Sequence, residues 1–151
     1  MKELDWAQNF ADEQATCTKV KVGSVIETKF GELIYGCNHG AYNCAKNGCR
    51  RIKLYGNASK EHRLPSDCDA IHSEVDAICK AAKRGLDVSG ATIYVTRYPC
   101  EACARAIVAA GIYKVFYGRK ESISEYTKFI LESAGIEVTK VSDWDREDNN
   151  E

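Results

Sequence analysis

Residues 91–117 read ATIYVTRYPCEACARAIVAAGIYKVFY, and this stretch decides the architecture. Ala91 to Val95 is a β-branched and apolar run, which predicts a strand. Cys100 to Ala110 is rich in alanine, follows Pro99 and stops at Gly111, which predicts a helix with a glycine end. Lys114 to Tyr117 predicts the next strand. Two strands joined through a helix run parallel, so at least part of the sheet is parallel.

Working outward, Ser73 to Lys83 places Val75, Ile78, Cys79 and Ala82 on one side of a helix, and Gly85 follows as a stop. Residues 3–15 carry Leu4, Ala7, Phe10 and Ala11 at the same period. Val22 to Glu27 and Leu33 to Cys37 predict strands joined by a hairpin turn over residues 28–32. Towards the end, Ser122 to Ser133 predicts a helix before Gly135, and Ile136 to Val138 a short last strand. An opening hairpin followed by alternating helices and strands indicates a three-layer α/β/α domain around a mixed, roughly five-stranded sheet. One domain is expected over residues 1–141. Asn38 to Asp69 lacks periodicity and forms an inserted Cys-rich loop. Residues 142–151, with five acids against one arginine, form an acidic tail expected to be frayed.

The chain has 151 residues, a formal net charge of -1, 44% hydrophobic and 28% charged residues. These values fit an ordinary globule large enough to bury a core without covalent staples. A charge near zero argues against a protein that coats nucleic acid, so any affinity for anions must be local. Six basic residues (Lys46, Arg50, Arg51, Lys53, Lys60 and Arg63) face one acid, Glu61, across the inserted loop. Such a patch suits a phosphate-bearing substrate, although a solvated face has the same composition. No apolar run is long enough to span a membrane. The N-terminus lacks the regions of a signal peptide, so a cytoplasmic protein is expected.

Eight cysteines with three histidines point, in a reducing compartment, to metal or catalysis. Cys100 and Cys103 stand i, i+3 at a helix start, so both sulfurs can face one point, and the helix N-terminus favours thiolate. His72 opens the preceding helix. One imidazole and two thiolates leave a fourth position on zinc for water. Glu74, two residues on, is placed to reach that water and to shuttle its proton. The pattern H-x-E…P-C-x-x-C is the signature of zinc nucleobase deaminases. A purely structural zinc would need no acid beside an open position. A second set, Cys44, Cys49, His62 and Cys68 in the loop, can make a closed Cys3His site, and His39 could stand in for His62. Cys17, Cys37 and Cys79 read as core residues. Asp76 lies about 200° round the helix from Glu74, which suits packing or an interface rather than proton transfer.

The segments Ile93–Ile112, Thr16–Ile26 and Gly36–Gly40 together resemble the cytidine deaminase-like superfamily, and most of all the deoxycytidylate (dCMP) deaminases. The resemblance covers most of residues 6–140. It implies hydrolysis of dCMP to dUMP and ammonia, with Asn38 on the sugar, Tyr98 near the pyrimidine and Lys19 where an arginine often meets the phosphate. It further implies a second, structural zinc in some members, dCTP and dTTP as effectors, and a homo-oligomer, often a hexamer. The sequence departs from the family at Ser73, where alanine is usual, and at Asp76, where asparagine is common. Open alternatives are the same chemistry on dCTP, free cytidine or deoxycytidine, another nucleobase or a base in a polynucleotide. A zinc-stabilised binding module is the reading of another class.

Overall fold

The computed structural model describes residues 1–56, 68–119 and 124–144. Its elements run α1 (Lys2–Gln14), β1 (Gly23–Glu27), β2 (Leu33–Cys37), α2 (Cys44–Asn47), α3 (Arg50–Tyr55), α4 (Ser73–Lys83), β3 (Thr92–Arg97), α5 (Glu101–Ala110), β4 (Lys114–Arg119), α6 (Glu125–Ser133) and β5 (Glu137–Lys140). Strand order is β2-β1-β3-β4-β5. β1 is antiparallel to β2 and β3, whereas β3, β4 and β5 are mutually parallel. The mixed five-stranded sheet expected from the sequence is thus present.

Alternation along β1 assigns the layers, because neighbouring residues of a strand face opposite sides. A Cβ at Gly23 would strike the backbone of Ala7 in α1. The next residue, Ser24, bonds Ser73 of α4. Helix α1 therefore covers one face and α4 the other. On the α4 side, Ile26, Ile93, Val95 and Val115 of the sheet meet Ala77, Ala81, Ala104, Ile107 and Leu131 of α4, α5 and α6 in one buried cluster. Small residues in the helices let them lie close on the β-branched sheet surface.

Several boundaries move. β3 and β4 extend to Arg97 and Arg119 because their parallel ladder continues to that pair. The inserted loop is not wholly irregular: Asn43 accepts the Lys46 N–H and starts α2, and α3 follows. Helix α6 is described from Glu125, with Ser124 accepting the N–H groups of Tyr126 and Thr127 as its cap. Trp144, assigned to the tail by composition, is buried, lies where a Cβ at Gly118 would go, and donates its indole N–H to Asp5 at 2.9 Å. No helix among the described residues is long and apolar enough to cross a membrane.

Helix α4 also meets β2 at backbone distance. A Cβ at Gly36 would meet the carbonyl of Ser73 and the amide of Ala77, both backbone atoms that cannot turn aside. Gly36→Ala is expected to cost about 3 kcal/mol, the upper range for overpacking, read as a lower urea midpoint at unchanged slope.

Candidate metal and active site

The C-terminal end of β3 delivers Pro99 and Cys100 to the start of α5, and the bridge between His39 and Ile71 delivers His72 to the start of α4. His72 and Cys100 are both N-cap residues whose side chains make no cap bond, so each is free to turn away from its own helix. His72 Nδ1 lies 3.5 Å from Cys100 Sγ and 3.4 Å from Cys103 Sγ. Among the described residues these are the only three metal-ligating groups whose donor atoms fall within 4.8 Å of one another. A nitrogen and two sulfurs gathered at that range fit zinc, with ligand bonds of about 2.0–2.3 Å.

The protonation of this trio also suits a cation. Bonds from the Cys103 thiol and the His72 ring push the Cys100 thiol down to about 3. The Cys103 thiol is driven above its usual range by sharing that bond and by burial. The bond to Cys100 raises the His72 ring. A thiolate and a shared proton are therefore held where a divalent ion would displace that proton.

Glu74 lies beside the trio and is 5% exposed. Burial raises its carboxyl well above the usual range, against bonds from its own backbone N–H and the Cys103 thiol and attraction to His72. Ser73 donates to Glu74 Oε2 at 3.3 Å while its oxygen lies 2.6 Å from that of Ser24. The serine in place of the usual alanine therefore has a local partner, and Ser24 is a site residue that sequence reading missed. Its only sequence signal is a buried hydroxyl at a sheet position facing α4.

Asp76 anchors the opposite side. Its Oδ2 accepts the Cys37 N–H at 3.1 Å and pairs with Lys80 at 3.0 Å, while Oδ1 lies 2.8 Å from His39 Nε2. The His39 ring is thereby engaged by Asp76 instead of turning on this nitrogen toward the cysteines of the loop. Between them, Asn38 Oδ1 accepts the Val22 N–H and Nδ2 donates to the Val20 carbonyl, both at 2.8 Å. One lone pair and one N–H of that amide remain for other partners.

Tyr98 packs edge-on against Tyr117 and lines a cleft of about 520 Å³ that also touches Cys100. Lys19 lies elsewhere, lining a separate cavity of about 80 Å³ with Cys17, Cys44, Cys49 and Cys68. The two cavities share no lining residue. Three cysteines of the expected second set thus share a cavity, but their sulfurs do not reach the mutual spacing of the first trio. His62, with Lys60, Glu61 and Arg63, lies outside the described residues. Two expectations are corrected here. Cys17 is half-buried at the cavity wall, in a loop and not in the core, and Cys79 is exposed because its turn of α4 faces outward. Cys37 is buried as expected.

The family model for the cytidine and deoxycytidylate deaminase zinc-binding region matches residues 2–119. ComE operon protein 2 of Bacillus subtilis (strain 168) is 31% identical over 150 residues, spanning 93% of this chain and 74% of the relative. Deoxycytidylate deaminase of Enterobacteria phage T4 is 33% identical over 166 residues, spanning 85% of this chain and 83% of the relative. Among solved structures, the dCMP deaminase of cyanophage S-TIM5 in complex with dCMP and dUMP superposes with a TM-score of 0.66 at 25% identity, covering 91% of this chain and 92% of that one.

Burial pulls the Asp76 carboxyl up, but the His39 ring, the Cys37 N–H and Lys80 together outweigh it and hold the group below its ordinary value of 3.8. A depressed carboxyl stabilises the fold above its unfolded value and loses that contribution as pH falls through the folded one. Asp76→Ala is expected to cost about 2 kcal/mol at pH 7, because it strands a buried N–H and removes the partners of Lys80 and of the His39 ring. The gap from wild type should close below about pH 4, which urea melts at pH 7 and pH 3 would check.

Proposed function

The chain belongs to the cytidine and deoxycytidylate deaminase family, and from that membership we propose that it hydrolyses dCMP to dUMP and ammonia with zinc held by His72, Cys100 and Cys103. The observation that carries the reading is the pairing of this donor trio with a buried carboxyl beside it, Glu74. A closed structural site has no use for such an acid.

When bound, the ion supplies Lewis acidity that makes water nucleophilic at neutral pH. In the proposed reaction the C4–N4 bond of cytosine breaks and a C4–O bond forms, with one water consumed. Glu74 takes the proton that water gives up, places it on N3, and carries a further proton to the departing N4 so that ammonia leaves. A carboxyl with a raised proton affinity suits this two-way traffic, because it takes up a proton more readily than an exposed carboxylate does. Ser73 steadies one Glu74 oxygen, and Ser24 steadies Ser73. Asn38 would present its remaining polar atoms to the sugar. Tyr98 would wall the base, and its position on the cleft beside Cys100 supports that role.

A second, structural zinc on Cys44, Cys49, His62 and Cys68 belongs to the same proposal, supported by the common cavity of the three cysteines. So does assembly of like chains. The stacked and exposed Tyr126 and Phe129 give α6 an apolar outer face that a second copy could cover.

Glu74→Gln is expected to lower turnover of dCMP about 10³-fold while the zinc content of the purified protein stays at the wild-type value. A panel of dCMP, dCTP, deoxycytidine and single-stranded oligonucleotides tests the substrate, and preference for any other member over dCMP would overturn it. Cys44→Ser is expected to remove one zinc per chain by elemental analysis and leave the ion of the first site in place.

A further inference from the structure

We propose that His39 is a positioning residue that ties the turn carrying Asn38 to the start of α4, so that the sugar side and the metal side of the site keep one register. The kinetic half of this inference rests on the deaminase reading above, and the metal half needs only zinc at the trio. His39 grips the start of the helix at two points. Its backbone pairs with Ile71, the residue before His72: the His39 N–H donates to the Ile71 carbonyl at 3.2 Å, and the Ile71 N–H donates back at 2.7 Å. Its ring Nε2 lies 2.8 Å from Asp76 Oδ1, one turn into α4. A carboxylate only accepts, so this nitrogen is the donor. His72 and Glu74 fall between the two grips along the chain.

The post that the ring holds is itself fixed. Asp76 Oδ2 accepts the Cys37 N–H at 3.1 Å and pairs with Lys80 at 3.0 Å. Lys80 in turn donates to the Tyr35 carbonyl at 3.2 Å and lies 4.8 Å from the centre of the Phe10 ring. Oδ1 is left to His39. The Asp76 side chain is 8% exposed, so the charged acceptor sits where a hydrogen bond is stronger than at the surface. On its other side His39 follows Asn38, whose backbone and side chain are bonded to Thr16, Val20 and Val22 in the segment before β1. Among the described residues, the hydrogen bonds from residues 37–40 to α4 both end on Asp76, one on each oxygen. His39 adds no donor atom to the trio, so its effect on zinc passes through Ile71 and Asp76.

His39→Ala removes the ring and keeps the backbone pairing. Zinc is expected to pass from this variant to a chromogenic chelator about 10-fold faster than from wild type, the worth of one charge-assisted bond. In the zinc-saturated protein KM for dCMP is expected to rise by a similar factor at nearly unchanged kcat, the signature of lost binding without lost chemistry. His39→Gln, whose amide N–H can reach the same carboxylate, should return both readings towards wild type. In Asp76→Asn the single amide oxygen cannot serve both the Cys37 N–H and the ring, so His39→Ala should do less there than in wild type. A lower melting temperature with both readings unmoved assigns His39 to stability alone and overturns the proposal. So does a shift in one reading without the other. One zinc fewer per chain in His39→Ala by elemental analysis makes His39 a ligand and overturns it as well. Absence of turnover by wild type on every cytosine compound overturns the deaminase reading instead, and the zinc-transfer rate with its rescue by glutamine still decides the clamp on α4.

Discussion

Helix α4 lies against the sheet at backbone distance, and the arrangement of the site hangs from that approach. Gly36 supplies the space, since any side chain there would enter the first turns of α4. Two polar links then fix the helix in rotation and along its axis: Ser24 to Ser73, and the Cys37 N–H to Asp76. Both form between buried groups, so each is worth more than a surface bond and leaves a costly orphan if broken. With the helix set in this way, His72 at its N-cap turns to the sulfurs, and Glu74 one residue past Ser73 lies beside them. A shift of the helix by one residue would carry the carboxyl to another face.

The same contact joins the sugar side to the metal side. Asp76 receives groups from β2, from the turn after it and from its own helix. Asn38, between Cys37 and His39, is pinned on the far side to Val20 and Val22. The turn holding Asn38 is thus clamped between α4 and the segment before β1. Asparagine at position 76, common in the family, could accept the same N–H. The charge of Asp76 adds the ion pair with Lys80.

What could be read along the chain was what depends on near neighbours. Pro99, Cys100 and Cys103 announce a strand, a turn and a helix start within a few residues. The period from Ser73 to Lys83 announces a helix, although the face it buries carries Ala77 and Ala81 and not the Val75, Ile78, Cys79 and Ala82 read from the sequence. The partly parallel character of the sheet and the donor trio followed from these. Contacts set by register were not legible. Ser24 finds Ser73 only because β1 alternates faces, and Arg97 meets Arg119 only because the β3–β4 ladder runs two residues past the last apolar position. Trp144 was assigned to a tail because its neighbours are acidic, whereas its burial depends on Gly118, far back in the chain. The short α2 and α3 escaped notice because four and six residues carry no helical period, and Asn43 alone marks their start.

These two kinds of contact divide the work of the site. The residues proposed to hold the ion and move the proton stand at helix starts, where local sequence dictates position and where N–H groups favour anionic sulfur. The residues proposed to choose the substrate stand at strand ends and in turns, where position follows from pairing with a distant segment. Tyr98 and Asn38 owe their positions to strand pairing, while His72, Cys100 and Cys103 owe theirs to the helix starts. This separation gives a physical reason why a motif so specific for deamination says less about which nucleotide is deaminated.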